Sequence, residues 1–236
     1  MLREALRTDG YREVNPLYAG LKYWKVRWVG IAVRQATASD VSTMADILAR
    51  AFDGPITVWH VPDDEQRVDV MRRFFKAGLE HVWLRHGEVF TTVGDVTGCC
   101  IWVPPGAESI RDRDTELFDE ACEGIFHDFP RSIELFAMFD SLHPTEPRYY
   151  LPFIAVEPNL HKRGVGTAML GPVLAKCDRE GIVAYLEADD RSKPFHERNG
   201  FSVIGEVPLP DGPSIWQMER LPSSTSSRSA DVVPYP

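Results

Sequence analysis

Residues Arg148 to Leu174 read "RYYLPFIAVEPNLHKRGVGTAMLGPVL" and join two kinds of element across a basic turn. The apolar run up to Val156 reads as a strand that enters a turn at Pro158, and the residues after Gly166 favour helix. Backbone N–H groups at a helix start have no intrahelical acceptor, and the helix dipole puts positive potential behind them. Lys162 and Arg163 add charge, while Gly164 and Gly166 remove side chains that would hold an oxygen away from those amides. The combination suits a pyrophosphate. It is too short for the G-x-x-x-x-G-K-[ST] phosphate loop and lacks the G-x-G-x-x-G spacing of dinucleotide folds. Taken alone, the same residues also describe an ordinary basic turn that starts a helix.

Downstream, the helix is expected to kink or distort locally at Pro172 and to end at Gly181. "IVAYLEA" (182–188) follows as an apolar strand and "RSKPFHERNGF" (191–201) as a short helix closed by Gly200. "FSVIGEV" and "SIWQMER" make a closing pair of strands. Upstream, Ile31, Val33 and Gln35 alternate as in a strand, and Ser39 or Asp40 can cap a helix with Val41, Met44, Ile47 and Leu48 on one face. "DGPITVWHVPDD" (53–64) reads as a loop. A second helix over 65–83 carries Val70, Phe74 and Leu79 and is interrupted late by Gly78.

"GEVFTTV" and "GCCIWVPP" form a hairpin about Gly94-Asp95, and residues 114–143 read as helix divided near Pro130. The order predicts one α/β domain over residues 31–221, with a mixed, mostly antiparallel central sheet flanked by helices. Residues 1–30 read as an extension that is packed on the domain, partly disordered, or a membrane-surface or partner arm. The Ser-rich tail, 222–236, is expected to be disordered.

With 236 residues, 44% of them hydrophobic, the chain can build a sizeable core. Its net charge of −9 argues against a general nucleic-acid binder, so an anion site must be local. Cys99, Cys100, Cys122 and Cys177 show no metal-ligand spacing and read as reduced packing residues, and no metal is expected. The sequence has no apolar run of membrane-spanning length and no signal-peptide segment, which makes the cytoplasm the expected compartment, without membrane contact by the domain.

The Val156-Glu157-Pro158 turn, the loop His161-Lys162-Arg163-Gly164-Val165-Gly166 and the later "YLEADDRSKPFHERNGF" stand in the order and separation of the GNAT superfamily of N-acetyltransferases. The resemblance runs from about Arg34 to Arg220 and is greatest to the puromycin N-acetyltransferase-like group, which also resembles the ending "VPLPDGPSIWQMER". It implies acetyl-CoA as cosubstrate. The backbone at Ile154, Ala155 and Val156 would pair with the pantetheine arm, and the amides from Lys162 to Thr167, through Arg163, Gly164, Val165 and Gly166, would hold the pyrophosphate. His161 stands where the family has Gln or Arg. Ser192 stands for its Asn among the cofactor-contact positions, and His196 for the Tyr that protonates the departing thiolate.

Amide formation needs a free amine, stabilisation of developing negative charge, and a proton for the thiolate. His196 can donate that proton, hydrogen-bond the thiolate, or serve only in packing. Glu187, at the end of "AYLEA", is the candidate base, with solvent exposure or pairing to an arginine as the alternative. Tyr149, Tyr150 and Glu157 are weaker candidates, His60 either lines an acceptor pocket or lies exposed in its loop, and His81, His86, His127 and His143 show no pairing in the sequence. The expected reaction is acetyl transfer to a primary amine of a small molecule. A non-catalytic acyl-CoA-binding or sensing protein and a protein N-acetyltransferase are the alternatives. Homodimers are frequent in the superfamily, so the resemblance allows a homodimer, and the sequence leaves the oligomeric state open.

Overall fold

The alternation in "GCCIWV" is read out on both faces of one strand: Cys99 and Ile101 lie in one core, Cys100 and Trp102 in the other, and all four are fully buried. The computed structural model describes residues 30–144 and 146–223. Most of the expected N-terminal extension and of the tail therefore lies outside the described residues.

The elements in chain order are β1 (Val33–Gln35), α1 (Val41–Ala51), α2 (Pro55–His60), α3 (Arg67–Gly78), α4 (Leu84–His86), β2 (Glu88–Thr92), β3 (Gly98–Val103), α5 (Arg113–Ile125) and α6 (Pro130–Leu142). The second half supplies β4 (Arg148–Val156), α7 (Val165–Glu180), β5 (Val183–Ala188), α8 (Lys193–Arg198), β6 (Ser202–Pro208) and β7 (Ser214–Arg220). The seven strands form one sheet in the order β1-β2-β3-β4-β5-β7-β6. Every neighbouring pair is antiparallel except β4 with β5. This is the expected mixed, mostly antiparallel sheet flanked by helices.

Met169, Leu170 and Val173 of α7 are fully buried against one face of the sheet. Met44, Ile47 and Leu48 of α1 and Phe74 and Phe75 of α3 close the other. Burying a side chain of this size stabilises the fold by roughly 1.5–3 kcal/mol. Pro172 lies inside α7 without dividing it, since the proline withholds only one backbone donor.

Two local expectations fail for identifiable reasons. "DGPITVWHVPDD" is not all loop, because Gly54 in extended conformation and Pro55 at the first position start α2. Gly78 does not interrupt its helix. A Cβ there would lie 2.3 Å from the Trp83 ring, and the helix continues through a π-turn at Leu79–Trp83 that brings that ring over the glycine. At the head of α1, Thr37 with Asp40 forms the capping box, and Arg34 makes two 2.8 Å hydrogen bonds to the same carboxylate.

Candidate active site

β4 and β5 pair over only three positions, Arg148↔Val183, Tyr149↔Ala184 and Tyr150↔Tyr185. Beyond them β4 stays with β3 as far as Val156, and β5 stays with β7 as far as Ala188. The two strands diverge and open a cleft in the middle of the sheet. β4 also changes register against β3, with Ile101 opposite Phe153 but Val103 opposite Tyr150, so it carries one extra residue. Pro152 lies in this bulge, where a residue without an N–H is tolerated. The bulge reverses the faces: Tyr149 and Leu151 pack toward α7, whereas Phe153 and Ala155 pack toward α1 and α3.

The Glu157 amide donates to the Thr97 carbonyl at 2.9 Å. By strict alternation Ala155 also directs its N–H and C=O at β3, while Ile154 and Val156 direct theirs at the cleft. Of the three positions expected along an extended ligand, Ala155 is therefore turned away by its pairing with β3. The Nε2 of His161 lies 2.9 Å from the Val156 carbonyl, to which it donates as the Nε2–H tautomer, so this residue ties the turn back to the strand.

Between β4 and α7 the chain makes a 3₁₀ turn at Pro158–Leu160, and Lys162 and Gly164 adopt left-handed conformations with φ of 61° and 88°. Gly164 is the N-cap of α7, and the first intrahelical bond runs from the Ala168 amide to its carbonyl. The amides of Val165, Gly166 and Thr167 thus precede the helix ladder and point from its positive end. Lys162 and Arg163 are exposed beside them. Gly164 fits the expected reason for a glycine, because its backbone conformation strains any L side chain. Gly166 has a different one: a Cβ there would meet the Phe195 ring at 3.0 Å. The glycine lets α8 rest on the first turn of α7.

Ser192 is engaged within its own loop. Its hydroxyl donates to Asp189 Oδ1 at 2.7 Å and its amide donates to the same oxygen at 2.8 Å, so its polar groups hold the start of α8 rather than reaching for a ligand. His196, four residues on, is only 4% exposed, packed between the rings of Phe195 and Phe201, and its Nδ1 has no hydrogen-bond partner among the described residues. Burial lowers its pKa to about 4, against a weaker opposing pull from Asp189, so the imidazole is neutral near pH 7. A neutral imidazole can offer an N–H to sulfur but is not an imidazolium acid.

Glu187 is not exposed, and among the described residues no arginine pairs with it. Its side chain is 5% exposed, with Oε1 3.6 Å from His143 Nε2, and burial pushes its pKa up to about 7 against the hydroxyls of Tyr185 and Tyr150. The His143 ring packs edge-on against Tyr150 at 4.4 Å, and Gln217 of β7 donates to the Tyr185 hydroxyl at 3.0 Å. These residues gather where β4 and β5 part. Tyr185 was legible as sharing a face with Glu187, two residues apart in a strand, whereas His143 and Gln217 arrive from α6 and β7, which no local pattern brings together.

The weaker candidates have other partners. Tyr149 faces α7 and donates to Glu88 at 3.3 Å, and Glu157 accepts from Arg50 at 2.6 Å. His60, expected on an exposed loop, is buried at the end of α2, with Nδ1 2.8 Å from Ser132 Oγ. Burial lowers its pKa to about 4. His86 lies 3.1 Å from Asp112. The four cysteines are free, and burial raises each thiol pKa. No helix of the described residues is long and apolar enough to cross a membrane.

Residues 132–201 match the acetyltransferase (GNAT) family. Among curated proteins, the chain is similar to an uncharacterized N-acetyltransferase of Schizosaccharomyces pombe, 23% identical over 185 residues that cover 72% of this chain and 74% of that protein. It is also similar to an acetyltransferase of Stachybotrys chartarum, 26% identical over 203 residues, or 76% and 84% of the two chains. Among solved structures, a Corynebacterium glutamicum protein described as histone acetyltransferase HPA2 and related acetyltransferase shares the fold with a TM-score of 0.61, at 21% identity over 83% of this chain and 98% of its own. An N-acetyltransferase from Staphylococcus aureus Mu50 does so with a TM-score of 0.51, at 19% identity over 79% and 98%. The family match takes in β4, α7, β5 and α8, the elements that carry the cradle, Glu187 and His196, and the two solved structures share the fold of the whole sheet.

Proposed function

We infer that this chain transfers an acetyl group from acetyl-CoA to a primary amine of a small molecule. The observation that carries the reading is the divergence of β4 and β5 past Tyr150 and Tyr185, which opens a cleft beside the free amides at the head of α7 and the buried carboxylate of Glu187. Acetyl-CoA, when bound, supplies a thioester whose carbonyl carbon accepts the amine. The residues present fit it. The cleft-facing backbone groups of Ile154 and Val156 can pair with an extended, amide-bearing arm as an added strand would, with the Val156 carbonyl shared with His161. The amides of Gly164 to Thr167, with Lys162 and Arg163, suit the pyrophosphate.

Glu187, with a pKa of about 7, is partly ionised at neutral pH and can take a proton from an incoming ammonium. His196 remains neutral there and offers at most a hydrogen bond toward the sulfur. Over the far end of the sheet, α2 and α6 pack on the β6–β7 hairpin through Trp59, Leu135, Leu209 and Ile215. This cover favours a small acceptor over a polypeptide, and a buried carboxylate at the cleft favours a cationic one. We extend the reading to a small-molecule partner rather than nucleic acid or membrane, a catalytic domain over residues 31–221, a cytoplasmic location, homodimer formation and kinship with the puromycin N-acetyltransferase-like group.

The second reading, an acyl-CoA-binding protein without turnover, draws on the neutral, enclosed His196 in place of a tyrosine acid. Release of free thiol from acetyl-CoA across a panel of polyamines, aminoglycosides, aminonucleosides and aromatic amines separates the two. Turnover with any of them, lost in the Glu187→Gln protein, supports the transferase. Tight CoA binding with no amine acetylated, joined to activity gained by His196→Tyr, supports the binding protein.

A further inference from the structure

We propose that His143 is the positioning and proton-exit partner of Glu187, receiving the substrate proton from that carboxylate and delivering it to solvent. The proposal rests on Glu187 being the base and deepens that reading.

Glu187 is sealed, with its side chain 5% exposed, whereas the His143 side chain, 3.6 Å away, is 28% exposed. A buried base that cannot return its proton to water performs one step and stops. The imidazole is a titratable group that contacts the carboxylate and also reaches solvent. The surrounding groups hold it in place: Tyr150 of β4 packs against its ring, Tyr185 of β5 lies behind with its ring centre 6.2 Å away, and Gln217 fixes the Tyr185 hydroxyl and donates to the Leu142 carbonyl at 3.3 Å. Leu142 ends α6 and His143 follows it, so the same amide braces the residue next to the imidazole. Among the described residues, the charged groups around this cluster include Asp140 of α6, which acts on Tyr150, and Arg148 of β4, whose guanidinium carbon lies 5.5 Å from the Tyr185 ring centre. The separation of 3.6 Å exceeds a hydrogen bond, so the transfer requires a small closing movement of either side chain.

Amide formation from an ammonium and a thioester releases one proton to solvent and leaves one on sulfur. In the released path, an ammonium N–H breaks and its proton bonds to a Glu187 oxygen. That O–H then gives the proton to His143 Nε2, which is the acceptor in the Nδ1–H tautomer. The imidazolium loses a proton to water at its exposed edge, and exchange with water restores the tautomer. Glu187 is again a carboxylate.

The test compares wild type, Glu187→Gln, His143→Gln and His143→Ala, using acetyl-CoA with the fastest amine of the panel, from about pH 6 to about pH 9. The relay predicts that His143→Gln loses about tenfold in kcat with KM for acetyl-CoA unchanged, that its acidic limb moves to higher pH, and that added imidazole restores His143→Ala. A wild-type kcat and pH profile in His143→Gln, with Glu187→Gln down about a hundredfold or more, overturns the relay alone. Full activity in Glu187→Gln overturns the base reading beneath it. If no amine turns over, NMR titration of 13C-labelled glutamate decides instead. The Glu187 carboxyl must titrate at higher pH in His143→Gln than in wild type, because the imidazolium that favours its ionised form is gone, and an unchanged titration overturns the proposal.

Discussion

Phe195 rests on Gly166, with its ring 3.0 Å from where a Cβ on the glycine would lie, and this contact couples the helix that carries His196 to the helix whose first turn forms the anion cradle. Gly166→Ala therefore forces the ring to move by a few tenths of an ångström. It is expected to cost about 1–3 kcal/mol of stability, as overpacking does, and to weaken CoA binding several-fold. Pairing it with Phe195→Leu should recover most of the stability. Thermal unfolding and calorimetric CoA titration of the three proteins check this, and undiminished stability in Gly166→Ala would contradict the packing role.

Gly164→Ala acts through the backbone instead. The residue holds φ at 88°, so an alanine there is strained by about 1–2 kcal/mol with almost nothing in contact with its methyl group. No second-site change at Phe195 should rescue it, which distinguishes the two glycines in the same unfolding experiment.

Ser192→Ala removes the hydroxyl that bonds Asp189 at the head of α8. Its expected effect is a loss of about 1 kcal/mol in stability, as for a lost cap or a neutral hydrogen bond, with CoA affinity unchanged. A marked loss of CoA affinity with normal stability would return Ser192 to the ligand contacts that its position in the sequence implied.

The raised pKa of Glu187 makes a signed prediction. An unfolded glutamate titrates near 4.3, and the folded carboxyl, desolvated by burial, at about 7. Between these values the folded state binds more protons, so the contribution is full below the unfolded pKa and is lost as pH rises through about 7. Glu187→Gln, which cannot ionise, should match wild type in stability near pH 4 and exceed it by a few kcal/mol at most near pH 8. Activity runs the other way, since the base must be ionised, and the wild-type rate should rise through the same window. Unfolding midpoints and rates measured across that range check both. A pH-independent stability difference between the two proteins would rule out the buried-carboxylate account.

These positions show how far local sequence pattern reaches. The cradle was legible because strand, turn and helix start are contiguous from Arg148 to Leu174, and their physics is local. The two-residue alternation made both faces of β3 and the shared face of Tyr185 and Glu187 readable. The partners of Glu187 were not. Its environment depends on His143 at the end of α6 and on Gln217 of β7, brought together only when the sheet orders β7 beside β5. The burial of His60 is hidden from local pattern for the same reason: it comes from the packing of α6 on α2, over seventy residues apart in the chain. The room that Gly166 leaves for Phe195 is likewise a contact between distant parts of the sequence.

The central claim is that the cleft between β4 and β5, continued by the first turn of α7, is where CoA binds. Backbone amide hydrogen exchange by NMR, with and without CoA, addresses it residue by residue. The account predicts that CoA slows exchange at Ile154 and Val156 and at Gly164, Val165, Gly166 and Thr167, and leaves Ala155, already turned to β3, unchanged. CoA that binds without protecting these amides, or that protects another face of the sheet, would contradict it.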